Sequence, residues 1–379
     1  EQAQKLLDEM EIYLDPASKM CDLSVSQQQM VEIIRAVSNN AQVLIMDEPT
    51  SAITSEEVEV LFRIIDKLKK KDVAIIYITH KMDEVFRIAD RVTVMRDGCY
   101  ISSFPREQLE ETSLISMMVG REIKNMFPKS NTPTTEEFFR VEHLSGGRFT
   151  DISFSLNRGE ILGVAGLMGA GRTEMAMTIF GAMEGKKTGT VTLFGEKVDI
   201  HSPADAISRG IALVTEDRKA QGLLIAQTVS DNIVLASLRK LCHMGVVDVN
   251  LQYFFAKQYV KEIGIKVPSL NAEVRSLSGG NQQKVVLAKW LMTEPKILIL
   301  DEPTRGIDVG AKYEIYTIMM DLAAKGFSII MISSELPEIM GMSDRVLVMH
   351  EGAVSGTVLH EDMTQERIMR LATGGNEDE

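Results

Sequence analysis

Two hydropathy patterns alternate along this chain. Brief apolar runs of strand length end in polar turns, and between them apolar positions recur at helical spacing. Residues 42–46, 73–78 (VAIIYI) and 296–302 (KILILDE) fit short buried strands. Residues 55–71 read as a helix with Val58, Leu61, Ile64, Ile65 and Leu68 facing inward. Residues 26–38 and 81–88 also read as helices, and 1–13 as an amphipathic one with Leu6, Leu7 and Met10 on one face. Residues 91–95 and 99–103 suit a hairpin around Asp97 and Gly98. Strand and helix in alternation predict a parallel sheet with crossover helices. Further on, residues 138–165 and 189–199 alternate as strands do, and 231–292 are mostly helical with a break near Pro268. The polar stretch 126–137 (MFPKSNTPTTEE) reads as an interdomain linker between a first module, 1–125, and a second, 138–373. Residues 374–379 read as a frayed acidic tail.

The pattern repeats. LSVSQ at 23–27 and VLIMDEPTSAIT at 43–54 return in the segment 277–308 at an offset of 254 residues. Ser24 maps to Ser278, Asp47 to Asp301, Glu48 to Glu302 and Thr50 to Thr304. The register holds through DRVTVMRDG at 90–98 and DRVLVMHEG at 344–352 without insertion or deletion. This is an internal duplication.

The repeated segment has two chemical ends. LSGGNQQ at 277–283 sets a serine and two glycines before a helix, where free backbone N–H groups can grip an anion. The strand at 296–302 ends in Asp301 and Glu302; the first can hold Mg²⁺ and the second can orient an attacking water. Residues 160–174 (EILGVAGLMGAGRTE) read as a strand, a glycine-rich loop and a helix start. Gly166 and Gly171 have the spacing of a phosphate-binding loop, Thr173 stands at its Ser/Thr position, and Arg172 stands where lysine is expected. The N–H groups from Met168 through Gly169, Ala170, Gly171 and Arg172 to Thr173 would cradle phosphates, and the Thr173 hydroxyl would ligate Mg²⁺. Arg172 keeps the charge of lysine but is bulkier and planar. At the repeat offset, the first module's phosphate loop would fall roughly 90 residues before Glu1, so the sequence reads as a fragment beginning inside that module. Leu144 to Gly147 also spell LSGG but lack a following Gln, and read as a turn.

Composition narrows the function. A net charge of −13 argues against non-specific nucleic-acid binding. Three scattered cysteines form neither a disulfide framework nor a zinc pattern, and Cys21 reads as a buried or half-buried thiol. No apolar run approaches the ~20 residues that span a bilayer. Phe149 is a candidate for stacking on adenine, with a core role the simpler reading. Asp308 could act across a dimer or cap a helix.

A phosphate loop, an LSGG signature and a hydrophobic strand ending in DEPT together resemble an ATP-binding-cassette ATPase. Two such modules, with EDRK at 216–219, LSGGNQQK at 277–284 and GLMGAGRTE paired with DEPTRGIDVGAK, resemble the ATP-binding subunits of bacterial monosaccharide importers of the ribose, galactose and xylose type. The resemblance implies a P-loop NTPase fold of the α/β class. Each module would have a RecA-like parallel-sheet core, an antiparallel β subdomain and a helical subdomain. It implies head-to-tail pairing, with ATP and Mg²⁺ between one module's phosphate loop and the other's signature. Site one would use Asp47 for the metal, Glu48 to polarise water and His80 as the γ-phosphate switch, facing Ser278, Gly279, Gly280 and Gln282. Site two would use Gly166–Thr173, Asp301 and Glu302, facing Ser24. Site two departs from the family pattern at Arg172, at Glu216 in place of a glutamine, at Ser334 in place of the switch histidine, and at Val25 and Ser26 in place of glycines. Site one is then the main hydrolytic site and site two binds nucleotide but hydrolyses it slowly. The implied partners are membrane permease subunits and, indirectly, a sugar-binding protein, with the chain peripheral on the cytoplasmic face of the cell membrane. Two rivals are a soluble tandem ATPase acting on ribosomes or nucleic acid, and a nucleotide-binding regulatory module without turnover.

Overall fold

A computed structural model describes the chain except for residues 1, 10, 11, 13, 39, 40, 51, 52, 54, 80, 97, 121–124 and 376–379. It divides into two compact units, Glu1–Ile123 and Lys124–Glu379.

In the second unit a six-stranded sheet carries the site. Among the described residues the first unit supplies four strands: β1 (Val43–Asp47), β2 (Ala74–Ile78), β3 (Arg91–Arg96) and β4 (Cys99–Pro105). The second supplies β5 (Glu137–Gly146), β6 (Phe149–Asn157), β7 (Ile161–Gly166), β8 (Lys187–Leu193), β9 (Glu196–Val198), β10 (Ile211–Val214), β11 (Ile297–Asp301), β12 (Ser328–Ile332), β13 (Arg345–His350) and β14 (Ala353–Leu359). The six-stranded sheet runs β10-β11-β12-β7-β13-β14, parallel except for its last, antiparallel pair. A separate antiparallel sheet runs β6-β5-β8-β9.

Strands β7, β11 and β12 are buried along nearly their whole length and mostly apolar, because both faces of the parallel sheet are covered. One face packs Leu298, Leu300, Ile329 and Met331 against the helices Gly279–Leu291 and Val309–Ala324. The other packs Ile297, Ile299, Ile330 and Ile332 against the antiparallel sheet and the helix Arg172–Ile179. The helices Val229–Val234 and Val249–Ile263 lie in the stretch expected to be helical.

The first unit repeats part of this arrangement in the same register. Strand β1 pairs with β2 from Val43↔Ala74 to Asp47↔Ile78, and β11 with β12 from Ile297↔Ser328 to Asp301↔Ile332. The β3–β4 hairpin carries a bulge between Val94 and Met95, and β13–β14 carries one between Val348 and Met349. Residues 1–13 were expected to be one helix; a helix spans Gln2–Glu9, and part of the remainder lies outside the described residues. The expected turn at Asp97 and the end of the acidic tail are also outside them.

Three expectations need correction. Strand 73–78 is not buried: Ile76 and Ile78 are exposed. Cys21 is exposed. The stretch 126–137, expected to be an interdomain linker, falls inside the second unit, and its side chains are strapped to that unit. Phe127 packs on the Tyr316 ring at 5.4 Å, Lys129 pairs with Asp344 at 2.7 Å, and Asn131 donates to the Asp344 carboxylate at 2.8 Å. One aromatic ring and one half-buried acidic partner suffice to dock it.

Candidate functional site

The glycine-rich loop leaves β7 at Gly166 and ends at the helix Arg172–Ile179. Gly166 has φ of 154°, and a Cβ there would stand 2.5 Å from the Met349 carbonyl oxygen, so only glycine fits. Ala170 N–H closes a turn onto Leu167 O at 3.1 Å. Met168 at the loop tip is almost fully exposed and Ala170 is buried. The first N–H groups of the following helix lack intrahelical acceptors and point back toward the loop. Backbone donors in this arrangement suit phosphate oxygens.

Strand β11 runs beside this loop and delivers two carboxylates. The Thr173 hydroxyl donates to Asp301 Oδ2 at 2.7 Å. Asp301 Oδ1 is buried with no hydrogen-bond partner among the described residues. Burial pushes the Asp301 carboxyl above its ordinary range, against the pull of Thr173 and Arg172. An orphaned carboxylate oxygen beside a threonine hydroxyl is a donor set that fits a hard divalent cation.

Glu302 follows in left-handed backbone with φ of 48°, and Glu48 does the same at 44°. Such a conformation costs a non-glycine residue about 1–3 kcal/mol and persists where surroundings impose it. Here Glu302 N–H is held by Ile332 O and Glu48 N–H by Ile78 O, both at 2.9 Å. The Glu302 carboxylate accepts from Ser334 Oγ at 3.1 Å and lies 3.9 Å from the Arg172 guanidinium. Burial raises its pKa, opposed by Ser334 and Arg172. Arg172 also donates to the Ser333 carbonyl at 2.9 Å. The arginine at the lysine position is thus tied to the far side of the pocket, against Glu302.

Other expected site residues fall elsewhere. Glu216 is paired with Arg305, and the Thr173–Asp301 bond closes without it. Gln282 points inward, nearly fully buried, and donates to Val274 O and Leu277 O at 3.2 Å. It braces the turn before the signature, and its Oε1 has no hydrogen-bond partner among the described residues. The first unit repeats this brace, Gln28 donating to Met20 O and Leu23 O at 3.0 Å. Ser278 stands at the N-cap of its helix without capping it, and among the described residues its hydroxyl accepts from the Asn281 side chain at 3.0 Å. A Cβ at Gly280 would meet Ala311 Cβ at 2.4 Å, so this glycine lets two helices approach. A Cβ at Gly279 would meet the Arg218 guanidinium at 2.9 Å.

In the first unit Ser24 forms a capping box: its hydroxyl accepts from Gln27 N–H at 3.2 Å and its N–H donates to Gln27 Oε1 at 3.0 Å. Asp47 and Glu48 are exposed at the end of β1. His80, the expected switch, lies outside the described residues. Phe149 is buried in the core. Asp308 caps the helix Val309–Ala324 through Ala311 N–H at 2.9 Å. The residue sequence reasoning missed is Arg218. It donates to Arg305 O at 2.7 Å and Gly306 O at 3.0 Å, joining the segment after Glu216 to the loop after DEPT. Its place in EDRK was the only signal.

Residues 1–51 and 149–305 match the family described as "ABC transporter". A xylose import ATP-binding protein of Thermoanaerobacter pseudethanolicus is 51% identical over 379 residues, covering 98% of this chain and 75% of that protein. The chain belongs to the ABC transporter family. A putative ribose/galactose/methyl galactoside import ATP-binding protein of Rhizobium etli is also 51% identical, over 98% of this chain and 71% of the relative. A ribose import ATP-binding protein of Geobacillus kaustophilus is 48% identical, over 99% and 76%. Among solved structures, a nucleotide-free ATP-binding cassette from an ABC transporter superposes with a TM-score of 0.53 at 20% identity, covering 63% of this chain and all of that one. That likeness shows an ABC cassette fold. Among the described residues of this ABC transporter chain, no helix is long and apolar enough to cross a membrane.

Proposed function

We propose that this chain is the ATP-binding and ATP-hydrolysing, energy-coupling subunit of an importer for simple sugars. Support comes from relatives named for xylose, ribose and galactose import that match nearly its whole length. The geometric observation that carries the nucleotide reading is the Thr173–Asp301 pair beside the glycine-rich loop, with Asp301 Oδ1 left buried and unpaired. Thr173 and Asp301 would hold Mg²⁺ in the second unit, and Asp47 in the first. Bound there, the ion would offset phosphate charge.

The two sites divide the labour. Glu48 orients the attacking water in the first unit, with His80 as the switch, and Ser278, Gly279 and Gly280 of the second unit form a signature. In site two Glu302 is held between Ser334 and Arg172. Its Oε2 already accepts from the Ser334 hydroxyl and is less free to orient a water, and Ser334 brings no imidazole. Loss of one transition-state contact costs about 10²–10³-fold in rate. Site two therefore binds ATP and turns it over slowly. Permease subunits dock near the loop after Glu216, placing the chain peripherally on the cytoplasmic membrane face, and a sugar-binding protein acts on the other side. The net charge of −13 supports a protein partner over nucleic acid.

The test is ATP turnover of the assembled importer. Glu48→Gln is expected to abolish turnover and Glu302→Gln to spare most of it. Equal loss in both would sink the unequal assignment.

A further inference from the structure

Each unit buries, at matching positions, a carboxylate that the proposed chemistry does not use. Glu338, on the helix Leu336–Met342, and Glu84, on Met82–Ile88, are both 2% exposed. Glu338 accepts from the hydroxyls of Thr304, Tyr316 and Ser333, the last at 2.8 Å, with Lys312 Nζ at 3.5 Å. Glu84 accepts from Thr50 at 2.5 Å, Tyr77 at 2.9 Å and Thr79 at 2.9 Å, with Lys81 Nζ at 3.4 Å. Each carboxylate thus meets three hydroxyls and one ammonium.

The donors do not all come from matching positions. Thr50 matches Thr304, Thr79 matches Ser333, and Glu84 matches Glu338 at the repeat offset. The tyrosines do not match. Tyr77 lies on β2, where the second unit has Met331; Tyr316 lies on the helix Val309–Ala324, where the first has Phe62. The lysines differ likewise: Lys81 stands opposite Glu335, and Lys312 opposite Val58. A buried carboxylate without donors is heavily penalised, so donors must be supplied from somewhere. The two units supply them from different elements around the same carboxylate. The constant feature is the acid together with the two hydroxyls at matching positions.

Those two hydroxyls bracket the chemistry. Thr304 lies two residues after Glu302, and Thr50 two after Glu48. Ser333 immediately precedes Ser334, and Thr79 precedes His80. Besides donating to the acid, Ser333 Oγ accepts from Glu335 N–H at 3.0 Å, and Thr79 Oγ1 accepts from Lys81 N–H at 3.1 Å. Ser333 closes a tight turn around Ser334 while anchored to the buried acid, and Thr79 joins the Lys81 N–H to the buried acid.

We infer that Glu84 and Glu338 are positioning residues that staple the switch turn to the turn after the strand-end glutamate and so set the rate of hydrolysis without touching nucleotide. The inference rests on the site assignment proposed above.

The experiment uses the assembled importer and reads kcat, the KM for ATP and Tm for Tyr77→Met, for the double variant Tyr77→Met with Phe62→Tyr, and for Glu84→Gln. Removing one charge-assisted donor is expected to lower kcat about ten-fold, with KM for ATP changed by less than about two-fold. The double variant moves the phenol to the element that carries it in the second unit, and is expected to recover most of the lost kcat. A purely structural network would move Tm and leave kcat of the folded fraction unchanged. The inference is overturned if Tyr77→Met and Glu84→Gln leave kcat unchanged while Glu48→Gln abolishes turnover. It is also overturned if the double variant restores Tm without restoring kcat. If Glu48→Gln spares turnover, Glu302→Gln abolishes it and Tyr316→Phe slows it, the staple stands and the division of labour falls.

Discussion

Strands β1 and β2 of the first unit and β11 and β12 of the second share a register but differ in what covers them. Leu44 and Met46 are buried in the first unit against Leu61, Ile64 and Ile65 of the helix Ser55–Lys69. On the opposite face Val43, Ile45, Ile76 and Ile78 are 56%, 64%, 52% and 47% exposed. Their counterparts Ile297, Ile299, Ile330 and Ile332 are at most 1% exposed, beneath the helix that follows the phosphate loop and the antiparallel sheet. Parallel strands are written for two buried faces. Apolar sequence records that demand in both units, but only the second meets it within the described residues. Strand pattern therefore tells how a sheet is built, and not what lies on it.

The largest effect that tests this contrast is in stability. Ile299→Ala removes a methylene-rich side chain from a closed core and is expected to cost about 2–5 kcal/mol. Ile45→Ala, at the matching exposed position, is expected to stay within about 0.5 kcal/mol. Denaturant melts of the 379-residue chain, read with a probe in each unit, make the measurement. Similar losses at the two positions would mean that the exposed face of β1 is covered in solution.

The signatures offer a second, smaller contrast. Ser24 spends its hydroxyl on capping its own helix, whereas Ser278 makes no such bond to the backbone. Ser24→Ala is expected to destabilise the first unit by about 1 kcal/mol, and Ser278→Ala to leave the melt of the second unit unchanged. Ser278→Ala is expected instead to slow ATP turnover of the importer. Equal melting costs would show that Ser278 is a structural cap too, and would weaken its assignment as a ligand contact.

These contrasts mark what could be read from sequence. Asp301, Glu302, Thr173 and the glycine loop were legible because each motif places particular atoms at the end of a strand or the start of a helix. The repeat register was legible because identical spacing preserves hydrogen-bond partners, as Gln28 and Gln282 demonstrate. Direction was not legible. Gln282 follows the two signature glycines yet turns inward, because the carbonyls of Val274 and Leu277 need a donor. Arg172 sits at the position of a phosphate-binding lysine but reaches across to Ser333 O and Glu302. The docking of Phe127 on Tyr316 depends on a ring almost 190 residues away, which a local polarity pattern does not register.

The smallest contrast is in acid–base behaviour. Asp301 is buried at its strand end while Asp47 is exposed. Burial raises the folded-state pKa of Asp301 above 3.8 and that of Glu302 above 4.5. Between the unfolded value and the raised folded value, the folded state binds more protons than the unfolded state. Stability of the second unit therefore falls as pH rises through that window, starting near pH 4, and the loss is complete above the raised pKa values. Asp301→Asn keeps an acceptor for the Thr173 hydroxyl and removes the buried charge. It is expected to raise Tm at neutral pH and to flatten this decline, with Asp47→Asn as the solvated control. A Tm–pH profile for Asp301→Asn that tracks the wild type would show that the Asp301 charge is not stranded and that Oδ1 finds a partner in solution. Added Mg²⁺ separates the remaining readings: it should raise Tm of the wild type above the window, where the carboxylate is ionised, and leave Asp301→Asn unmoved, because a cation can offset only a charge that is there.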